Sequence, residues 1–191
     1  MKLIFATNNH HKVEEIRSLL GNKLELITLH EAGIYLDIPE PYPTLEENAS
    51  GKSRFIFEMT GTNCFSEDTG LEVAALKGEP GVKSARYAGE NRSFDDNIEK
   101  LLINLSDKPD RSARFRTVIS LLIDGSEKQF EGICEGEIIE ERRGDQGFGY
   151  DPVFIPAGSA KTFAEMDMTE KNQFSHRKKA TEKLVAFLNT L

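Results

Sequence analysis

Glu67 and Asp68 stand side by side in FSEDTGLEV, residues 65–73, with the Thr69 hydroxyl directly after them. Two adjacent carboxylates without a counter-charge repel one another and resist desolvation. A hard cation resolves both problems. Mg²⁺ suits best, because it takes few carboxylates and completes its shell with water and phosphate oxygens. Glu40, in a Pro-rich stretch, is a candidate further ligand. The plain alternative is a charged turn facing water, which the flanking Phe65, Leu71 and Val73 disfavour.

Three other clusters carry chemical signals. Thr7, Asn8, Asn9, His10, His11 and Lys12 lie between an apolar run and a helical pattern. Such a loop offers backbone N–H groups and a helix dipole to an anion. Lys12 in the first turn opposes that dipole unless an anion offsets it; a solvated lysine beside an ordinary N-cap is the plainer reading. The chain has no GxxxxGK[ST] loop here. Phe148 sits between Gly147 and Gly149, with Tyr150 and Asp151 following. Glycines admit close backbone approach, and a ring presented this way stacks on a planar base, unless it folds into the core. Glu170–Arg177 gathers Lys171, Ser175, His176 and Arg177, groups suited to a phosphate or a base edge and also to simple solvation. PGVKSARYAGE, residues 80–90, reads as a polar surface loop.

The elements that must position these residues follow from pattern. Leu3–Ala6 is a buried strand; Val13, Ile16, Leu19 and Leu20 have helical spacing, with Gly21 as the stop. Leu24–Leu29 reads as a second strand, and residues 30–43 as a loop. Thr44 to Glu47 fits a capping box opening a helix to about Met59. The next strand carries the acids and is expected to end at them and turn at Gly70, bending both carboxylates into one pocket. Ser93 opens a third helix; Arg111–Asp124 and Glu127–Glu141 form a hairpin around Asp124-Gly125-Ser126. A helix from about Ser175 to Asn189 closes the chain. The order predicts one α/β domain over residues 1–191 with a mixed sheet.

Composition narrows the partners. The 191 residues carry a formal charge of −8, which disfavours binding to long nucleic acid. Two cysteines far apart form no metal or redox motif. Neither a signal peptide nor a membrane-length apolar run is seen, so a soluble cytoplasmic protein with no membrane partner is expected.

Taken together and in order, TNNHHK, SEDTGLEV, PGVKSARYAG, GFGYDPVF and EKNQFSHR resemble the inosine triphosphate pyrophosphatase family, over residues 7–177. Many members have Gly at the Asn8 position, and Asp and Ser at those of Glu67 and Thr69, so acid and hydroxyl are kept. The resemblance implies a two-lobed α/β fold around a long twisted mixed sheet with flanking helices, the substrate in the cleft between lobes. It implies a homodimer that uses Mg²⁺ and hydrolyses ITP, dITP and XTP to the monophosphate and pyrophosphate. Asp68 matches the catalytic carboxylate and Glu40 a metal ligand, with Glu67 helping through the metal's water shell. Residues 7–12, Lys52 and Lys171 would hold the triphosphate, and Thr69 would touch the substrate. Phe148, with Gly149 and Tyr150, would bind the base; Asp151 would accept from ring N–H groups; His176 and Arg177 would read the 6-position. Related enzymes for pyrimidine triphosphates, and a nucleotide-binding regulator without turnover, are the rivals.

Overall fold

A computed structural model describes residues 2–20 and 24–191. The helix stop expected at Gly21 lies outside the described residues. In chain order the elements are β1 (Lys2–Phe5), α1 (His10–Leu20), β2 (Glu25–Thr28), α2 (Leu45–Thr60), β3 (Cys64–Val73), β4 (Pro80–Gly81), α3 (Phe94–Asn104), β5 (Ser112–Ile123), β6 (Ser126–Ile138), β7 (Phe154–Pro156), α4 (Met168–Lys171) and α5 (His176–Leu188). The strands form one mixed sheet ordered β2-β1-β3-β5-β6-β7, with β4 on β3. β1 runs parallel to β2 and β3, while β4 and β7 pair antiparallel with β3 and β6. No helix among the described residues is long and apolar enough to cross a membrane.

The chain divides into two units. The first takes residues up to Asp68, Thr117–Gly132 and Arg177–Leu191; the second takes Thr69–Arg116 and Ile133–His176. In the first, strand alternation separates two cores. Leu3 and Phe5 join Val13 and Ile16 of α1 and Ala180 and Leu184 of α5, with Phe5 stacked on Phe65 at 4.5 Å. Ile4 joins Ile56 of α2 and Cys64. The second unit has its own core, where Leu71, Val73, Phe115, Phe154 and Phe163 meet Ile98 and Leu101 of α3.

Helix starts follow local chemistry. Thr44 accepts from the Glu47 N–H and Ser93 from the Asp96 N–H, as expected of N-caps. The β5–β6 turn is Asp124-Gly125, both at positive φ (50° and 79°).

Two expectations are corrected. β3 does not end at the acids; it runs on to Val73 because β4 pairs with it at Leu71↔Gly81. Gly70 is therefore not a turn. A Cβ there would lie 2.6 Å from the Gly81 carbonyl oxygen, so glycine is what lets β4 approach. Residues 80–90 are also more than a surface loop. Tyr87 is buried in the core, and Ser84 accepts from the Leu71 N–H while donating to the Gly81 carbonyl.

Candidate active site

The strand–helix loop after β1 is built as a helix entry. Thr7 Oγ1 accepts from the Asn9 N–H, and Asn9 Oδ1 accepts from the Lys12 N–H, capping α1. Asn8 Nδ2 donates to the Leu36 carbonyl at 2.8 Å, a bond that glycine would not make. His10 and His11 face Glu14 at 3.0 and 4.0 Å and are exposed. Lys12 turns inward instead, its Nζ 3.1 Å from Glu67 Oε1.

Glu67 and Asp68 are neighbours on a continuous strand, and they serve different cations. Glu67 is fully buried. Its two carboxylate oxygens accept a bidentate fork from Arg177 Nε and Nη2, both at 2.8 Å. Arg177 also donates to Glu15, itself buried on α1. Burial alone would push the Glu67 carboxyl up; the Arg177 and Lys12 charges more than offset this and hold it well below the usual range. Burial opposes the Arg177 charge too, but Glu67 and Glu15 push its pKa up. The fork is the strong geometry for a carboxylate.

Asp68 faces Lys52. The Lys52 ammonium lies 2.5 Å from Glu40 Oε1, 2.8 Å from the Glu67 carbonyl oxygen and 3.4 Å from Asp68 Oδ1. Burial lowers the Lys52 pKa, and Asp68 and Glu40 together more than reverse it, so the net shift is upward. For Asp68, burial raises the pKa, Lys52 and Lys12 oppose it, and the net direction is up. The Glu40 loop is held by Asn48 of α2, whose amide accepts from the Tyr42 N–H and donates to the Tyr42 carbonyl, both at 3.0 Å.

Three oxygens around one cation form a hard donor set, and that chemistry fits a divalent ion such as Mg²⁺. Among the described residues no three His, Cys, Asp or Glu side chains are gathered to hold a metal by themselves.

In the second unit, Asp151 organises the Gly-Phe-Gly loop. Its Oδ2 accepts from the Phe148 N–H at 3.0 Å and from Lys171 Nζ at 2.7 Å. Lys171 lies over the rings of Phe148 and Phe163, at 5.4 and 5.3 Å. Gly147 has φ +73°, and a Cβ there would fall 2.0 Å from Asp151 Oδ2. Tyr150 is buried and donates to the Ser84 carbonyl at 2.8 Å; burial pushes its phenol up. His176 is 3% exposed and stacks on Phe115 at 4.7 Å. Thr69 follows Asp68 on β3, partly exposed.

Lys12, Lys52, Glu40, Glu67, Asp68 and Arg177 thus meet in one network in the first unit. Phe148, Asp151, Lys171 and His176 belong to the second. Arg177, expected at a base edge, holds Glu67. Lys171, expected with the triphosphate set, pairs with Asp151. Sequence reasoning missed Glu15 and Asn48. Asn48 did leave a signal: it shares the helical spacing of Leu45, Lys52 and Ile56 on the buried face of α2. Glu15 left none, since its need is set by an arginine far along the chain.

The model of the Ham1 family matches residues 3–187. A dITP/XTP pyrophosphatase of Porphyromonas gingivalis is 54% identical over 188 residues, 98% of this chain and 97% of its own length. One of Christiangramia forsetii is 49% identical over 189 residues, 99% of this chain and 100% of its own. A solved HAM1 protein structure from Coxiella burnetii superposes with a TM-score of 0.91 at 39% identity, covering 100% of both chains.

Proposed function

The chain belongs to the Ham1 family, and from that premise we propose that it hydrolyses ITP, dITP and XTP to the monophosphate and pyrophosphate, the activity that its relatives' names describe for dITP and XTP. Such an enzyme removes deaminated purines from the nucleotide pool. The observation that carries this reading is the convergence of Glu40, Asp68 and Lys52 on one point. Phosphoanhydride hydrolysis needs positioning, neutralised charge and a proton acceptor more than covalent chemistry.

In this reading the N–H groups at the start of α1, with residues 7–12 and Lys52, receive the triphosphate. Glu40 and Asp68 would hold the divalent ion, Mg²⁺, which would supply positive charge at the phosphoryl oxygens. Asp68 takes the proton of the water that attacks the α-phosphorus. Pyrophosphate leaves. Glu67 positions Lys12, and Arg177 positions Glu67, so a chain of ion pairs fixes the phosphate cation in place.

The aromatic set handles the base. Phe148 stacks on it, with Gly149 and Tyr150 beside the ring. Asp151 accepts from ring N–H groups as well as from the Phe148 N–H and the Lys171 ammonium. Lys171 sets Asp151, Thr69 touches the substrate, and His176 reads the 6-carbonyl. Adenine's 6-amino donor would leave such a site mismatched, worth a factor of roughly 10⁴ in favourable cases. We read the enzyme as a cytoplasmic homodimer.

The test is product analysis of ITP with Mg²⁺, with ATP and GTP run in parallel. The expected outcome is IMP plus pyrophosphate, ATP and GTP largely spared, and Asp68→Asn slower by about 10²-fold or more. IDP plus orthophosphate, or equal turnover of ATP, overturns the reading.

A further inference from the structure

We propose that the Lys52 ammonium is a built-in counter-ion, which holds Glu40 and Asp68 together in the metal-free protein and leaves them when a divalent cation binds. The inference rests on the reading of Glu40 and Asp68 as the cation's ligands, and adds a competitor from the chain itself.

An ammonium has three donors and no acceptor. Lys52 has three acceptors in reach: Glu40 Oε1, the Glu67 carbonyl and Asp68 Oδ1. Its side chain is 6% exposed and that of Asp68 10%. This is not a solvated lysine waiting for phosphate; it is already engaged. Without it, the buried Asp68 carboxylate would face that of Glu40, which is 25% exposed, and like charges so close resist one another. Once a divalent cation neutralises both carboxylates, the same ammonium becomes an uncompensated buried charge. Its Cα is fixed in mid-helix on α2, so the flexible stem must carry the charge to another anion. A bound triphosphate is that anion. Metal and triphosphate therefore favour each other's binding, and metal alone binds weakly.

Lys12 provides the control. It pairs with the Glu67 carboxylate and acts on Asp68 through its charge. Removing it lowers the local positive field without vacating the two ligands.

The experiment is calorimetric titration of Mn²⁺ into the nucleotide-free protein, for wild type, Lys52→Met and Lys12→Met. Lys52→Met is expected to bind Mn²⁺ about tenfold tighter, and Lys12→Met at most about threefold tighter. Equal tightening in the two variants would reduce the effect to a general field and overturn the proposal. So would unchanged, weaker or undetectable binding in folded Lys52→Met. Should that variant fail to fold, the wild type still decides. Its Lys52 Nζ protons are expected to exchange slowly in metal-free nitrogen-15 spectra and to lose that protection as Mg²⁺ is added; protection unchanged at Mg²⁺ saturation overturns the proposal. Neither readout requires turnover, so a protein that leaves ITP intact would fail the functional reading while these results still speak to Lys52.

Discussion

The Glu67 carboxylate lies wholly out of water, forked by Arg177 and touched by Lys12. Replacing it by Gln removes a carboxylate that both Arg177 and Lys12 pair with. Breaking one side of a buried pair costs about 3–5 kcal/mol. We expect Glu67→Gln to lower the urea midpoint accordingly with an unchanged slope; a loss below about 1 kcal/mol would show the fork to be unimportant. The pH dependence has a definite sign. The folded pKa of Glu67 is below its ordinary 4.5, so its contribution is complete above that pH and is lost as pH falls through the lowered folded value. Wild-type stability should fall with acidification below about pH 4.5, and the Gln variant should show a flatter acid limb. The adjacent acids were conspicuous in the sequence. Their partners were not, because the Arg177–Glu67 fork joins residues 110 positions apart.

Glycines 147 and 149 test the loop as an element. Both have positive φ, +73° and +63°. A Cβ on Gly149 meets nothing within 4 Å, whereas one on Gly147 collides with the Asp151 carboxylate. Gly149→Ala should cost backbone strain, about 1–2 kcal/mol, without moving Asp151, and raise KM for ITP less than Gly147→Ala does. Gly147→Ala should also displace Asp151 and with it Phe148 and Lys171. KM for ITP is then expected to rise roughly tenfold or more. Steady-state kinetics of the two variants settle it, and equal KM values would mean that Asp151 does not organise the base site. The glycines flanking Phe148 were readable as a signal; which of them is indispensable was not. Helix starts were legible for a local reason, since a cap is a bond between residues three apart. The course of β3 was not, because β4 pairs with it from beyond the intervening residues 74–79.

At the scale of the molecule, the net charge of −8 coexists with two lysines and an arginine concentrated on four carboxylates of the first unit, Glu15, Glu40, Glu67 and Asp68. With its cations concentrated this way, an acidic protein receives a polyanion at one place without attracting anions elsewhere. The chain also exposes large apolar side chains in that unit, Tyr35, Tyr42, Phe55 and Met59. The homodimer we propose is checked by light scattering on the purified protein. A mass near twice 21.4 kDa is expected, and a mass of one chain at working concentration would remove the dimer.

The sequence by itself determined the class of fold, the helix starts capped by Thr44 and Ser93, and the hairpin turn, because periodicity, caps and turn residues are local properties of a chain. Only the tertiary structure decided the pairings: Glu67 with Arg177 and Lys12, Asp68 and Glu40 with Lys52, Asp151 with Lys171 and the Phe148 backbone. A buried charge takes whichever opposite charge the fold delivers, and that choice follows from packing between residues distant in sequence.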